Sequence, residues 1–151
     1  MVARLLAGGA AVDLARDDGT TPLYMAAAYG HDEVVARLLA GGAVVDQAKD
    51  DGTTPLFITA QFGHDAVMAR LLAGGAAAGV ARTGDGVSAL MVAAHFGHAR
   101  CARLLLDGGA GAAATATGAN GVLGSQAGDD ALALARRAGH AEIEALLRAS
   151  N

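Results

Sequence analysis

Four histidines, His31, His64, His98 and His140, recur along the chain. A set of imidazoles could ligate a metal or move protons. Their spacing argues against a shared ion. They occupy one position of a repeated segment, so consecutive members fall on neighbouring helices. Packed helices lie roughly 8–10 Å apart, whereas ligands of one zinc each sit about 2 Å from it. The expected role is structural, each histidine capping the start of a helix and packing between units. His95, beside Phe96, stands outside the series and reads as a contact residue or a weak pH-sensitive group. Cys101 shares a stripe with Val34 and Val67 and reads as a small buried hydrophobe, not a nucleophile. One cysteine also excludes an intrachain disulfide and a Cys-based zinc site. Gly84-Asp85-Gly86 through Ala89 imitates a dinucleotide fingerprint, but that motif needs a preceding strand and a βαβ unit, and here it falls on a turn. Lys49 is the only lysine, and no Gly-Lys-Ser/Thr phosphate loop exists. The pairs Asp17-Asp18 and Asp50-Asp51 are turn formers that bond their own backbone. They lack the oxygen count of a calcium site. No Ser–His–Asp or Cys–His set separates from the repeated positions. The expectation is a non-enzyme with no cofactor and no metal.

Composition narrows the partners. The chain has 151 residues, enough for one domain and not comfortably two. It is 53% hydrophobic but only 3% aromatic, so alanine and small aliphatics must build the core through close helix approach. Charged residues are 17%, too few for a chain held open by charge. A net charge of −4 lacks the basic footprint that phosphate neutralisation needs, so nucleic acid is not expected. Arg, Asp or Gly interrupts every apolar run before the ~20 residues of a membrane span. The opening MVARLLAGGA is too short for a signal peptide's apolar core. The default expectation is a soluble intracellular chain.

Those residues sit on a repeat, the feature to look for first. DDGTTPLYMAAAYGHDEVVARLLAGGAVVD begins at Asp17, and DDGTTPLFITAQFGHDAVMARLLAGGAAAG begins 33 residues later at Asp50. A third copy, DGVSALMVAAHFGHARCARLLLDGGA, starts at Asp85 after one inserted residue. A looser copy, DALALARRAGHAEIEALLR, starts at Asp130. Thr21-Pro22 and Thr54-Pro55 read as an N-cap followed by proline at the first helical position. Leu23, Ala26 and Ala27 give helical spacing, and Gly30 and Gly63 stop that helix, since glycine enters the left-handed region cheaply. Val34, Val35, Leu38 and Leu39 form the apolar face of a second helix, ended by Gly41-Gly42. Asp18-Gly19 and Asp51-Gly52 make the turn that projects between units. Two short helices cannot bury their apolar faces alone, whereas stacked copies can.

The residues Thr21-Pro22-Leu23 through Ala26-Ala27, Gly30-His31, Leu38-Leu39 and Gly42-Ala43 resemble the ankyrin repeat. The second unit repeats them as Thr54-Pro55-Leu56, Ala60, Gly63-His64, Leu71-Leu72 and Gly75-Ala76. The resemblance implies an all-α, ankyrin-type helix-turn-helix solenoid with projecting β-turn or hairpin loops. It divides the chain into a partial repeat at 1–15, repeats at 16–48, 49–81 and 82–115, an irregular Gly/Ala-rich insertion at 116–128 and a degenerate capping repeat at 129–151. Two departures stand out. The family's histidine after Thr-Pro-Leu is replaced by Tyr24, Phe57 and Met91, which exchanges its hydrogen bonds to neighbouring units for apolar contact. Ser88-Ala89 replaces Thr-Pro in the third unit, which weakens that cap.

The chain begins inside a second helix, leaving Leu5 and Leu6 without upstream cover. This suggests a fragment of a longer array, or self-association through that end. In the last unit Arg136, Glu144 and Arg148 replace Ala27, Val35 and Leu39, so a solvated end face is expected there. The segment GAAATATGANGVLGSQAG reads as an enlarged loop, cheap in loop entropy, with Val122-Leu123 at its tip as a lesser binding candidate.

The resemblance further implies that a partner protein docks on a concave face lined by turn tips and first helices. Matching residue by residue gives Asp17, Asp18, Thr20, Ala28 and Tyr29 from one unit. The next gives Asp50, Asp51, Thr53, Gln61 and Phe62, and the third Asp85, Val87, His95 and Phe96. The tips are acidic, which predicts a basic or mixed-charge partner. Tyr29, Phe62 and Phe96 form a column of one ring per unit, which reads either as a hot spot or as packing against the next unit. The expected function is non-catalytic protein–protein binding. The alternative is a structural or regulatory segment of a longer multidomain protein, docking intramolecularly.

Overall fold

Threonine hydroxyls start the helices. Thr21 and Thr54 are extended and their Oγ1 atoms accept from the Tyr24 and Phe57 amides at 3.1 Å. Ser88 does the same for Met91 at a longer 3.3 Å, and Asp130 for Ala133 at 2.8 Å. Such a cap is worth about 1 kcal/mol. In the computed structural model, which describes residues 11–118, 123–124 and 126–150, these caps open α1 (Pro22–Ala28), α3 (Pro55–Phe62), α5 (Ala89–Phe96) and α7 (Ala131–Ala138). Each is followed by a partner: α2 (Asp32–Ala40), α4 (Asp65–Ala73), α6 (Ala99–Asp107) and α8 (Ala141–Ala149).

The first helices stack in one row and the second helices in another, each helix packing mainly on its own unit and the adjacent ones. The first row packs more closely than the second. Alanines permit that approach: Ala26, Ala27, Ala60, Ala93, Ala94 and Ala135 are all buried. Leucines fill the space between rows, with Leu23, Leu56, Leu71, Leu90, Leu105, Leu134 and Leu147 essentially inaccessible. Burial of such side chains is worth roughly 1.5–3 kcal/mol each. Cys101 is buried among them, as its place on the stripe implied.

The fingers between units are short hairpins. Arg16 donates its amide to Thr20 O at 2.9 Å, Lys49 to Thr53 O at 2.9 Å and Arg82 to Val87 O at 2.8 Å. Adjacent fingers are joined by Asp50 N–H to Asp18 O at 3.1 Å and by Thr117 N–H to Asp85 O at 2.8 Å. Beyond the second helices, the Asp13 carboxylate accepts from Val44 N–H and Asp46 accepts from Ala77 N–H, both at 3.1 Å.

The histidines work differently from the expected cap. His31, His64, His98 and His140 precede their helices, but none of their side chains caps its own helix. His64 Nε2 instead donates to Ala28 O at 3.1 Å, His98 to Gln61 O at 3.1 Å and His140 to His95 O at 3.0 Å. Each ring thus reaches back one unit and satisfies a carbonyl at the end of a first helix, a group with no partner inside that helix. The ring lies across the terminating glycine of that helix. Gly63 has φ +73°, and a Cβ there would fall 2.5 Å from His98 Nδ1, so backbone and neighbour both demand glycine.

Three other expectations change. Tyr24 retains a bond to the next unit, its hydroxyl lying 3.3 Å from Thr53 Oγ1. The insertion is not irregular throughout: Ala116 N–H donates to Asp129 O and Gly128 N–H to Ala116 O, both at 2.8 Å, closing a finger with Ala116 buried. Leu123 is buried in the core instead of exposed at a tip, because a lone leucine in a polar loop is best placed against the stack. Val122, Leu5 and Leu6 lie outside the described residues. At the far end Arg136 and Arg148 are exposed, while Glu144 is half-buried between them at 3.4 and 3.1 Å.

Candidate functional site

The residues expected to contact a partner lie on the fingers and toward the C-terminal ends of the first helices. Asp17, Asp18, Asp50 and Asp51 are exposed there and Asp85 is half-buried. Three of these carboxylates are turned into their own fingers. Asp18 Oδ1 accepts from Thr20 N–H at 3.0 Å, Asp51 Oδ1 from Thr53 N–H at 2.9 Å and Asp85 Oδ1 from Val87 N–H at 3.1 Å. These are the Asx turns expected of aspartate before glycine. The Thr20 hydrogen bonds, with help from Lys49, hold the Asp18 carboxyl down to about 2. Against the opposing effect of burial, the Thr53 hydrogen bonds keep Asp51 below the usual carboxylate range. Arg82 pairs with Asp85 through two nitrogens, and Lys49 Nζ lies 3.6 Å from Asp18. The acidic row is therefore partly compensated from within. Asp17 and Asp50 are the two whose side chains enter no hydrogen bond or ion pair among the described residues.

Thr20, Thr53 and Val87, expected among the contact residues, are buried. They follow the finger turn directly and their side chains point back under it. Thr53 Oγ1 donates to Asp51 Oδ1 at 2.5 Å and faces the Tyr24 hydroxyl, while Val87 fills apolar core. Their side chains hold the fingers instead of facing solvent.

The column of rings is at the surface. Tyr29 is 65% exposed, Phe62 52% and Phe96 37%. Each faces the histidine that follows it, with centroids 6.1, 6.2 and 6.4 Å apart. Phe96 is the most covered of the three, by rings of its own unit. Its ring also meets His95 edge-on at 4.9 Å. Tyr29 and Phe62 instead flank an open groove of about 370 Å³ lined by Met25, Ala28 and His64. Beside the rings runs a second column of Ala28, Gln61, His95 and Arg137, all but Arg137 half-buried. Burial, then His140 and Arg137, hold His95 below the usual histidine range, which keeps the ring neutral near pH 7.

Burial, then Asp65, pushes the Cys101 thiol up to about 11, the opposite of an activated nucleophile. Among the described residues no three His, Cys, Asp or Glu side chains are placed to hold a metal ion, and no helix is long and apolar enough to cross a membrane.

The family model for ankyrin repeats in three copies matches residues 1–80 and 58–151. No curated protein matches the chain. Ankyrin repeats are generally protein–protein interaction modules and are typically non-catalytic. With stacked helix pairs, projecting fingers and a family match over its whole length, the chain belongs to the ankyrin-repeat family.

Proposed function

We propose that the chain binds a partner protein through its concave face, by surface complementarity and without chemistry. The observation that supports this is the row of rings. Tyr29 and Phe62 are more than half exposed on either side of an apolar groove in a chain with only 3% aromatic residues. Exposed aromatics beside a groove are the composition of interface anchors. The groove accepts an aliphatic or aromatic side chain of the partner. Asp17 and Asp50 on the fingers add charge, so the partner is basic or mixed in charge and associates more slowly as salt rises. The contact set is Asp17, Asp50, Tyr29, Gln61, Phe62, His95 and Phe96, with Asp18, Asp51 and Asp85 shaping the fingers.

Affinity capture from the source lysate tests it. Wild type is run beside Tyr29→Ala with Phe62→Ala, and beside Asp50→Arg with Gln61→Arg, each checked for native helix content. A protein retained by wild type and lost by both variants supports the reading. Truncating such an anchor weakens binding by about 30-fold. Identical capture by all three chains, or capture by none, sinks it.

A further inference from the structure

Tyr24 and Phe57 occupy one position at the start of α1 and α3. A cation from the following unit covers each ring. Lys49 Nζ lies 5.5 Å from the Tyr24 centroid, and the Arg82 guanidinium carbon lies 5.2 Å from that of Phe57. Lys49 and Arg82 are themselves equivalent, since each opens a finger with its amide bonded across the hairpin. Each also serves carboxylates on the fingers. Lys49 reaches Asp18 of the finger before it. Arg82 pairs with Asp85 of its own finger and its charge is felt at Asp51 of the finger before. Both side chains are mostly buried, at 23% and 21% exposure, so water screens these contacts only partly. At the third junction both halves change together. Met91 stands where the ring would be, and Ala116 stands at the finger position of the cation.

We propose that Lys49 and Arg82 are positioning residues, each using one charge to lock its own finger onto the ring and the finger of the preceding unit. The ring supplies its negative face, the cation crosses between units, and the aspartates fix where the cation sits. The aromatic that replaces the family's histidine at this position is then half of an inter-unit clamp. Its other half lies 25 residues away in both cases, at Lys49 for Tyr24 and at Arg82 for Phe57. The clamp sets the relative placement of the first three fingers, and so of Asp17 and Asp50. The rival account is that the aliphatic stem of Arg82 merely packs on Phe57, which requires no charge.

A double-mutant cycle on the full chain separates them. Urea unfolding is followed for wild type, Arg82→Met, Phe57→Leu and the double variant, with Arg82→Lys as the conservative control. The loss of the Asp85 partner appears in both backgrounds and cancels. The clamp predicts that Arg82→Met lowers the folding equilibrium constant about two- to fivefold more with Phe57 present than in the Phe57→Leu background. Arg82→Lys keeps that coupling. Amide exchange at Gly86, whose N–H bonds Arg82 O at 3.1 Å, quickens in Arg82→Met while core amides of α5 do not change. Equal losses in both backgrounds overturn the proposal, as does an Arg82→Lys chain that behaves like Arg82→Met. Should Arg82→Met not fold, the cycle of Tyr24→Leu with Lys49→Met reads the same quantity at the first junction, and absence of coupling there overturns it equally.

Discussion

Replacing Gly63 by alanine separates two reasons for a glycine. Gly63 sits at φ +73°, and alanine in that region costs about 1–2 kcal/mol. A Cβ at Gly63 also falls 2.5 Å from His98 Nδ1, so the imidazole must swing away and give up its bond to Gln61 O. That adds about 1–2 kcal/mol, because a half-buried carbonyl at a helix end is left without its donor. The total is about 2–4 kcal/mol. Gly75 supplies the control, with φ +93° and no atom within 4 Å of an added Cβ. Gly75→Ala therefore carries the backbone cost alone, about 1–2 kcal/mol. For a chain of this size about 1 kcal/mol moves the melting temperature by roughly 2–4 °C. Thermal and urea unfolding of both variants, each also made in a His98→Ala background, is the assay. Gly63→Ala should cost more than Gly75→Ala in the wild-type background, and the excess should vanish without the ring. Equal losses at the two glycines, or an excess that survives His98→Ala, would refute the role given to the histidine.

Asp13 and Asp46 each accept the amide at the same point of the next unit, whereas the equivalent residue in the third unit is Gly79, with open space around its Cβ position. Gly79→Asp should stabilise the chain by about 0.5–1 kcal/mol, from reduced freedom of the unfolded chain and a new acceptor for Gly111 N–H; a lower urea midpoint would count against it. His95 is held below its ordinary range, so the folded chain binds fewer protons than the unfolded chain in that window. Stability is accordingly lost as the pH falls through about 6.5, and the pH dependence of the urea midpoint should be shallower in His95→Gln than in wild type.

Much of the architecture was legible because it is local. Caps, helix-ending glycines and apolar stripes repeat within a few residues, and Thr21, Gly63 and Leu38 carry the same message in every unit. The ring column was legible for the same reason, and its exposure followed from its place at the helix end. What escaped was set by contacts between units. Thr20, Thr53 and Val87 look like turn residues, and only the path of the finger shows that they point beneath it. The pairings of Tyr24 with Lys49 and of Phe57 with Arg82 keep one separation, but the residue types differ at both ends and the partners belong to different units, so no shared motif marks them. Leu123 stands alone among small and polar residues, so no pattern marks it as core. The histidines were placed correctly between units, but the choice of a neighbour's carbonyl over the helix's own amides needed the stacking distance.

That choice of acceptor separates cohesion from the chemistry of the exposed side chains. Each ring grips main chain at Ala28, Gln61 or His95, and a carbonyl is the same whatever side chain its residue bears. Alanine, glutamine and histidine are accordingly all accommodated at that position, each beside an exposed ring. The surface can be rewritten one residue at a time without loosening the joint beneath it. A duplicated or excised unit of 33 residues would find the same acceptor waiting on either side. The array can change length and vocabulary independently.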